Sequence, residues 1–151
     1  SCGAGANYGT ALESALKMGE TIHIPSCCYE IEEYIHGPNL QLTPQYNVIF
    51  FDGNDGASQR VEQVYKATRK VTNRAYLISN NPQLSRDGHV LSLSDTVSSE
   101  LSPLVYLPFV QLLSFIVSND LHSIYQHPLL KEFKAIAAAK TENFVNYDGD
   151  D

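Results

Sequence analysis

Two short stretches of the chain place ionisable side chains where they could do chemistry. Glu20 closes a helical pattern that bears Glu13 and Lys17 four residues apart. It follows Met18 and precedes the alternating segment Thr21-Ile22-His23-Ile24. A carboxylate at such a helix-to-strand corner, beneath apolar neighbours, loses solvation of its charged form and becomes able to accept a proton near neutral pH. Glu13 and Lys17 read as a surface pair worth about 0.3–0.5 kcal/mol, with orientation of Glu20 as the alternative role for Lys17. The second stretch is Tyr29-Glu30-Ile31-Glu32-Glu33-Tyr34-Ile35-His36-Gly37-Pro38. Three carboxylates in a short helical turn lead to His36. Gly37 and Pro38 stop the helix there and present the imidazole on a sharp turn, where it can exchange protons near neutral pH. Taken singly, Glu20 reads more readily as a solvated helix-terminal carboxylate and His36 as an ordinary surface histidine.

The elements that must position these residues alternate between strand and helix. Tyr46 to Asp52 is an apolar run bounded by Pro44 and Gly53, which predicts a buried strand. Asp55 to Thr72 repeats Val61, Val64 and Tyr65 at helical spacing, with Arg and Lys late in the run. Ala75–Ser79 and His89–Leu93 predict two further strands. Residues 103–119 predict a long helix, the one expected to be packed most deeply, and Leu129 to Ala139 a last one. Thr21–Ile24 reads as an extended segment. Short connections between alternating strands and helices predict an α/β fold, a three-layer αβα sandwich around a mostly parallel sheet. The small-residue opening Ser1-Cys2-Gly3-Ala4-Gly5 runs straight into a helix. Such a loop belongs between a parallel strand and its helix, so the first strand is expected to be cut short and the chain to be the C-terminal part of a longer polypeptide.

Composition narrows the function classes. The chain has 151 residues, 43% hydrophobic and 18% charged, and a net charge of −7. That apolar share supports a packed core, and the acidic balance argues against nucleic acid as a partner. Three Cys, two of them adjacent at Cys27 and Cys28, do not make a disulfide framework, which favours the cytoplasm. No metal-ligand spacing such as C-x-x-C occurs. Leu101–Val117 is the most apolar stretch, but it is short for a membrane span and broken by Pro103, Pro108, Gln111 and Ser114. It reads as a buried helix or a subunit interface rather than a membrane segment. The acidic end, Asp148-Gly149-Asp150-Asp151, reads as solvated.

Taken together, the two stretches resemble the sugar isomerase (SIS) domain family. The chain is similar to the second SIS module of phosphosugar isomerases and fructosamine deglycases, and to the isomerase domain of glucosamine-6-phosphate synthase. The matching residues are Gly3-Ala4-Gly5, Ala11-Leu12-Glu13, Ala15-Leu16-Lys17, Glu20 and Glu33-Tyr34-Ile35-His36-Gly37-Pro38. Glu20 and His36 stand sixteen positions apart, as in the family pattern. The chain departs from that pattern at Glu32, where the family commonly has Gly.

The resemblance implies a SIS domain over residues 1–125 and a C-terminal tail, 126–151, that contributes to the active site. It implies two SIS modules in one chain, with the first holding the sugar phosphate, and a homodimer or higher oligomer. The turn that would be equivalent to a phosphate loop, Gly53-Asn54-Asp55-Gly56-Ala57-Ser58, is not rich in Ser or Thr, and its Asp55, with Asp52 just before it, would repel a phosphate. The implied catalytic residues are Glu20 as the base at C1/C2, His36 donated across the dimer, and a C-terminal lysine, Lys140 with Lys134 as the alternative. Lys17 and Glu33 are the implied substrate-binding residues. The implied substrate is a phosphosugar or fructosamine phosphate, and no cofactor or metal is implied. Three functions compete: an isomerase or deglycase acting through an enol or enolamine, the isomerising aminotransferase, and a sugar-phosphate-sensing domain of a regulator. A sensor has no need of Glu20 and His36 together, which favours an enzyme.

Overall fold

The central strand is the apolar run expected from sequence. Val48–Asp52 (β3) carries Val48 and Phe50 toward one face of the sheet and Ile49 and Phe51 toward the other, because side chains alternate along a strand. A strand apolar on both sides must be covered on both sides, and helices do so here. The computed structural model describes residues 1–85, 87–93, 97–123, 132–133 and 136–137. Around β3 stand β1 (Cys2–Gly3), β2 (Tyr29–Glu30), β4 (Ala75–Ser79) and β5 (Val90–Ser92). All pair in parallel, in the order β2-β1-β3-β4-β5. The helices are α1 (Asn7–Ile22), α2 (Ile31–Ile35), α3 (Ser58–Thr68) and α4 (Ser102–Asp120).

Two cores lie back to back across the sheet. On one face Phe50 and Leu77 meet Ile31 and Tyr34 of α2 and Val61, Val64 and Tyr65 of α3. Phe50 is fully buried, with its ring edge-on to those of Tyr34 and Tyr65 at 5.9 and 6.0 Å. On the other face Phe51 and Ile78 meet Ala11 of α1 and Tyr106 and Val110 of α4. The structure is thus the three-layer αβα sandwich with a parallel sheet that the sequence predicts. The predicted strand at 75–79 and the helices at 55–72 and 103–119 appear, within a few residues of their expected ends. The expected helix at 129–139 falls largely outside the described residues.

Two expectations are corrected. Thr21–Ile24 is not extended: Thr21 and Ile22 finish α1, and His23 turns left-handed at φ 61° while its N–H closes on the Gly19 carbonyl. The short strand comes later, at Tyr29–Glu30, where Tyr29 N–H bonds to the Ser1 carbonyl. Nor is α4 the most deeply packed helix. It buries the stripe Ser102, Tyr106, Val110, Ser114 and Ser118 and turns Leu104, Leu112 and Phe115 outward, the three between 56 and 70% exposed. Serine is small enough for close helix approach, and the hydroxyls of Ser102, Ser114 and Ser118 bond to carbonyls three residues back, at Ser99, Gln111 and Phe115. By length and composition the segment Ser99–Asp120 could cross a membrane; in this fold it lies along α1.

Gly3 is required by close packing. A Cβ there would sit 2.4 Å from the Asn7 carbonyl oxygen, so the first turn of α1 can lie directly over β1. Gly5, at φ +53°, supplies the left-handed step between that strand and the helix.

Candidate functional site

Glu20 lies in the last turn of α1 and faces solvent, its side chain 49% exposed. It was expected beneath apolar neighbours; within this chain it is not, so burial here does not desolvate it. Its partner is Lys17, whose Nζ donates to Glu20 Oε2 at 2.7 Å and lies 3.6 Å from Glu13 Oε1. The spacings i, i+3 and i, i+4 place all three on one helix face, with the ammonium between two carboxylates. The hydrogen bond to Glu20, above all, holds the Lys17 ammonium above its usual range. Lys17 therefore stays charged at neutral pH and fixes the Glu20 carboxylate in one orientation.

The helical turn before His36 forms for local reasons. Glu30 caps α2, its Oε2 accepting from the Glu32 amide at 2.7 Å. Ile31 and Tyr34 are buried, and the Tyr34 hydroxyl lies 3.3 Å from Thr68 Oγ1. Glu33 and His36 are exposed, and the His36 amide donates to the Glu33 carbonyl at 3.1 Å, ending the helix. Pro38 then opens a single 3₁₀ turn through Gln41. Glu32 reaches α3, where Arg60 Nε bonds to Oε1 at 2.7 Å and Nη2 to Oε2 at 3.0 Å. Hydrogen bonding to Arg60, and then the charge of Arg60, holds the Glu32 carboxyl below the usual carboxylate range. No local spacing marks Arg60 in the sequence, because its partner is 28 positions away on another helix.

The two halves do not meet within one chain. Lys17 and Glu20 ride on α1, over the face that holds Phe51; Glu33 and His36 ride on α2, over the face that holds Phe50. Among the described residues no hydrogen bond or ion pair joins Glu20 to His36. Lys134 and Lys140 lie outside the described residues.

The turn after β3 is the one that would be equivalent to a phosphate loop. Asp52 is 1% exposed at the carboxyl end of β3 and accepts from the Asn54 amide at 2.9 Å, from Ser79 Oγ at 2.7 Å and from Ser58 Oγ. Asp55 Oδ1 accepts from the Ala57 amide at 2.8 Å. A phosphate loop needs free backbone N–H groups aimed at the ligand. Here two of them are occupied by the turn's own carboxylates, whose charge opposes an anion as well.

The thiols are unpaired: Cys2 is buried, Cys28 half-buried and Cys27 exposed. Burial pushes the Cys2 thiol up to about 12, so it is packing rather than a nucleophile. Among the described residues no group of three His, Cys, Asp or Glu gathers as a metal site.

No family model matches the sequence. Among curated proteins, the chain is 31% identical over 122 residues to a glutamine–fructose-6-phosphate aminotransferase (isomerising) of Methanothermobacter thermautotrophicus, covering 78% of this chain and 20% of that protein. It is 28% identical over 115 residues to the protein of the same description from Xylella fastidiosa, covering 75% and 19%. The chain thus spans about a fifth of the length of the curated relatives it matches. Among solved structures, one from Clostridium difficile provisionally described as a phosphosugar isomerase superposes with a TM-score of 0.75 at 21% identity, over 92% of this chain and 39% of that one. Tagatose-6-phosphate ketose/aldose isomerase of Escherichia coli gives 0.68 at 20%, over 80% and 35%. The C-terminal domain of glucosamine-fructose-6-phosphate aminotransferase from Francisella tularensis gives 0.65 at 22%, over 78% and 34%. At these identities the structural likenesses establish the fold.

Proposed function

Because the chain has the sugar isomerase (SIS) domain fold, we propose that it is one module of a phosphosugar-processing enzyme, an aldose–ketose isomerase or a fructosamine-6-phosphate-type deglycase. In this reading Glu20 moves the proton between C1 and C2 through an enol or enolamine. His36, donated by the neighbouring subunit, protonates the ring oxygen or the departing amine. Lys17 orients Glu20, and Glu33 offers a carboxylate to sugar hydroxyls beside His36. The C-terminal lysine, Lys140 or Lys134, approaches the sugar carbonyl. The phosphate is held by a preceding SIS module of the same polypeptide, in keeping with the occupied N–H groups of the turn at 52–58. Three unpaired thiols favour the cytoplasm.

One observation carries this reading: Glu20 and His36 are both presented to solvent, on helices over opposite faces of one sheet. That placement supports a site in which the two residues come from different chains. The surroundings of Glu20 fit the same idea. Leu12 and Leu16, 46 and 53% exposed, precede it at i−8 and i−4 on α1, and Leu112, Phe115 and Ile116 of α4 are also exposed. A partner seated on that apolar face would withdraw water from Glu20 and supply the desolvation that this chain alone does not.

A second reading is the isomerising aminotransferase, which the curated relatives favour. The two differ in whether an amine is released or glutamine nitrogen is incorporated. The test incubates the complete native protein with ketose 6-phosphates and fructosamine 6-phosphates in deuterated water. The leading reading expects deuterium at C1 or C2 of recovered sugar, with no requirement for glutamine. Incorporation that depends on glutamine selects the aminotransferase. Sugar binding with no exchange from any of these substrates overturns both and leaves a sensor.

A further inference from the structure

We infer that Arg60 is a positioning residue for His36: from α3 it clamps the Glu32 carboxylate of α2 and so fixes the turn that carries the imidazole. The functional importance of that turn rests on the reading of His36 proposed above; the clamp itself rests on geometry. A helix of five residues, Ile31–Ile35, is far too short to hold its own shape, since isolated helices need about 12–15 residues. Its inner side is anchored by buried Ile31 and Tyr34. An anchor along one side leaves the segment free to roll about it, and the outer side is where Glu32, Glu33 and His36 lie.

Arg60 removes that freedom. Two parallel hydrogen bonds, Nε to Oε1 at 2.7 Å and Nη2 to Oε2 at 3.0 Å, fix the plane of the carboxylate as well as its distance. The Glu32 amide is tied at the same time to Glu30 Oε2 at 2.7 Å, so both the backbone and the side chain of Glu32 are held. Glu32 and His36 are four residues apart, hence stacked on one helix face. The hydrogen bonds that follow belong to the same rigid unit: His36 N–H to the Glu33 carbonyl at 3.1 Å and Leu40 N–H to the Gly37 carbonyl at 2.9 Å. A lysine at 60 could supply the charge but not the two-point contact.

The test uses the complete native protein, amide hydrogen exchange and steady-state kinetics. Arg60→Ala and Glu32→Ala should each speed exchange at the His36 and Leu40 amides about 2- to 5-fold, the range a well-formed exposed pair supplies. The charge-swapped double variant, Glu32→Arg with Arg60→Glu, should return those amides to within about twofold of wild type. Thermal midpoints should stay close to wild type in all three, because the pair is solvent-facing. In the same proteins kcat should fall about 2- to 10-fold in the single variants with KM little changed, and recover in the swap. Unchanged exchange in Arg60→Ala overturns the clamp. Faster exchange with unchanged kcat, in a protein that His36→Ala inactivates, overturns the positioning role. If His36→Ala itself leaves turnover intact, the proposed catalytic role of His36 has failed, and the exchange data alone then decide the clamp.

Discussion

At the scale of single residues, Glu20 is a carboxylate whose chemistry depends on what covers it. In this chain it is solvent-facing and held by Lys17 at 2.7 Å. The proposed function asks it to act as a base once a partner excludes water. Glu20→Gln keeps the size and much of the hydrogen bonding and removes the base. Turnover should fall about 10²–10⁴-fold with little change in substrate affinity, measured as kcat and KM on the complete protein. Full activity in this variant would remove Glu20 from the mechanism. A second residue-scale prediction concerns acid stability. Asp87 accepts from the His89 amide and the Tyr65 hydroxyl, each at 2.9 Å, and the His89 amide above all holds its carboxyl below the usual range. A carboxyl lowered on folding contributes stability that is present above its unfolded value of about 3.9 and is lost as pH falls through the lowered folded value. Asp87→Asn should therefore flatten the loss of thermal stability as pH falls below about 4. An acid limb identical to wild type would show that Asp87 does not contribute to it.

At the scale of elements, Phe50 links three of them. It is fully buried in β3 between Tyr34 of α2 and Tyr65 of α3. Phe50→Ala should cost about 3–5 kcal/mol in chemical denaturation, and a loss under about 1 kcal/mol would mean that this core readily collapses around the gap. The elements also show how far the sequence could be read. β3 and β4 were legible because each is a short, largely apolar run that ends sharply, at Gly53 and at Asn80-Asn81-Pro82. β2 was not legible, because two residues have no periodicity and its pairing is set by a distant contact, Tyr29 N–H to the Ser1 carbonyl. The facing of α4 was hidden for the opposite reason. It is apolar all round, and close approach to α1 selected the serine stripe over the leucines. The turn carrying His36 was legible from Gly37-Pro38, whereas its tether to Arg60 depends on how α2 and α3 pack. The identity of the site residues came from a resemblance and from spacing; the solvent exposure of Glu20 could not be read from the apolar residues beside it in sequence.

At the scale of the whole molecule, the sheet separates the proposed base from the proposed acid. Glu20 and His36 sit on helices that cover opposite faces, and the exposed Leu12 and Leu16 precede Glu20 along α1. In the proposed assembly each site takes Glu20 from one chain and His36 from another, which requires a closed symmetric oligomer. In that proposal the phosphate goes to a neighbouring module, in keeping with two amides of the turn at 52–58, those of Asn54 and Ala57, being bonded to Asp52 and Asp55. The most direct measurement of this central claim mixes two inactive complete proteins, Glu20→Gln and His36→Ala, under conditions of proven subunit exchange. A mixed dimer would gather both defects into one site and leave the other whole. Random mixing should restore about one quarter of wild-type activity, because half the dimers are mixed and half of their sites are intact. Complete exchange with no recovered activity would contradict the shared site.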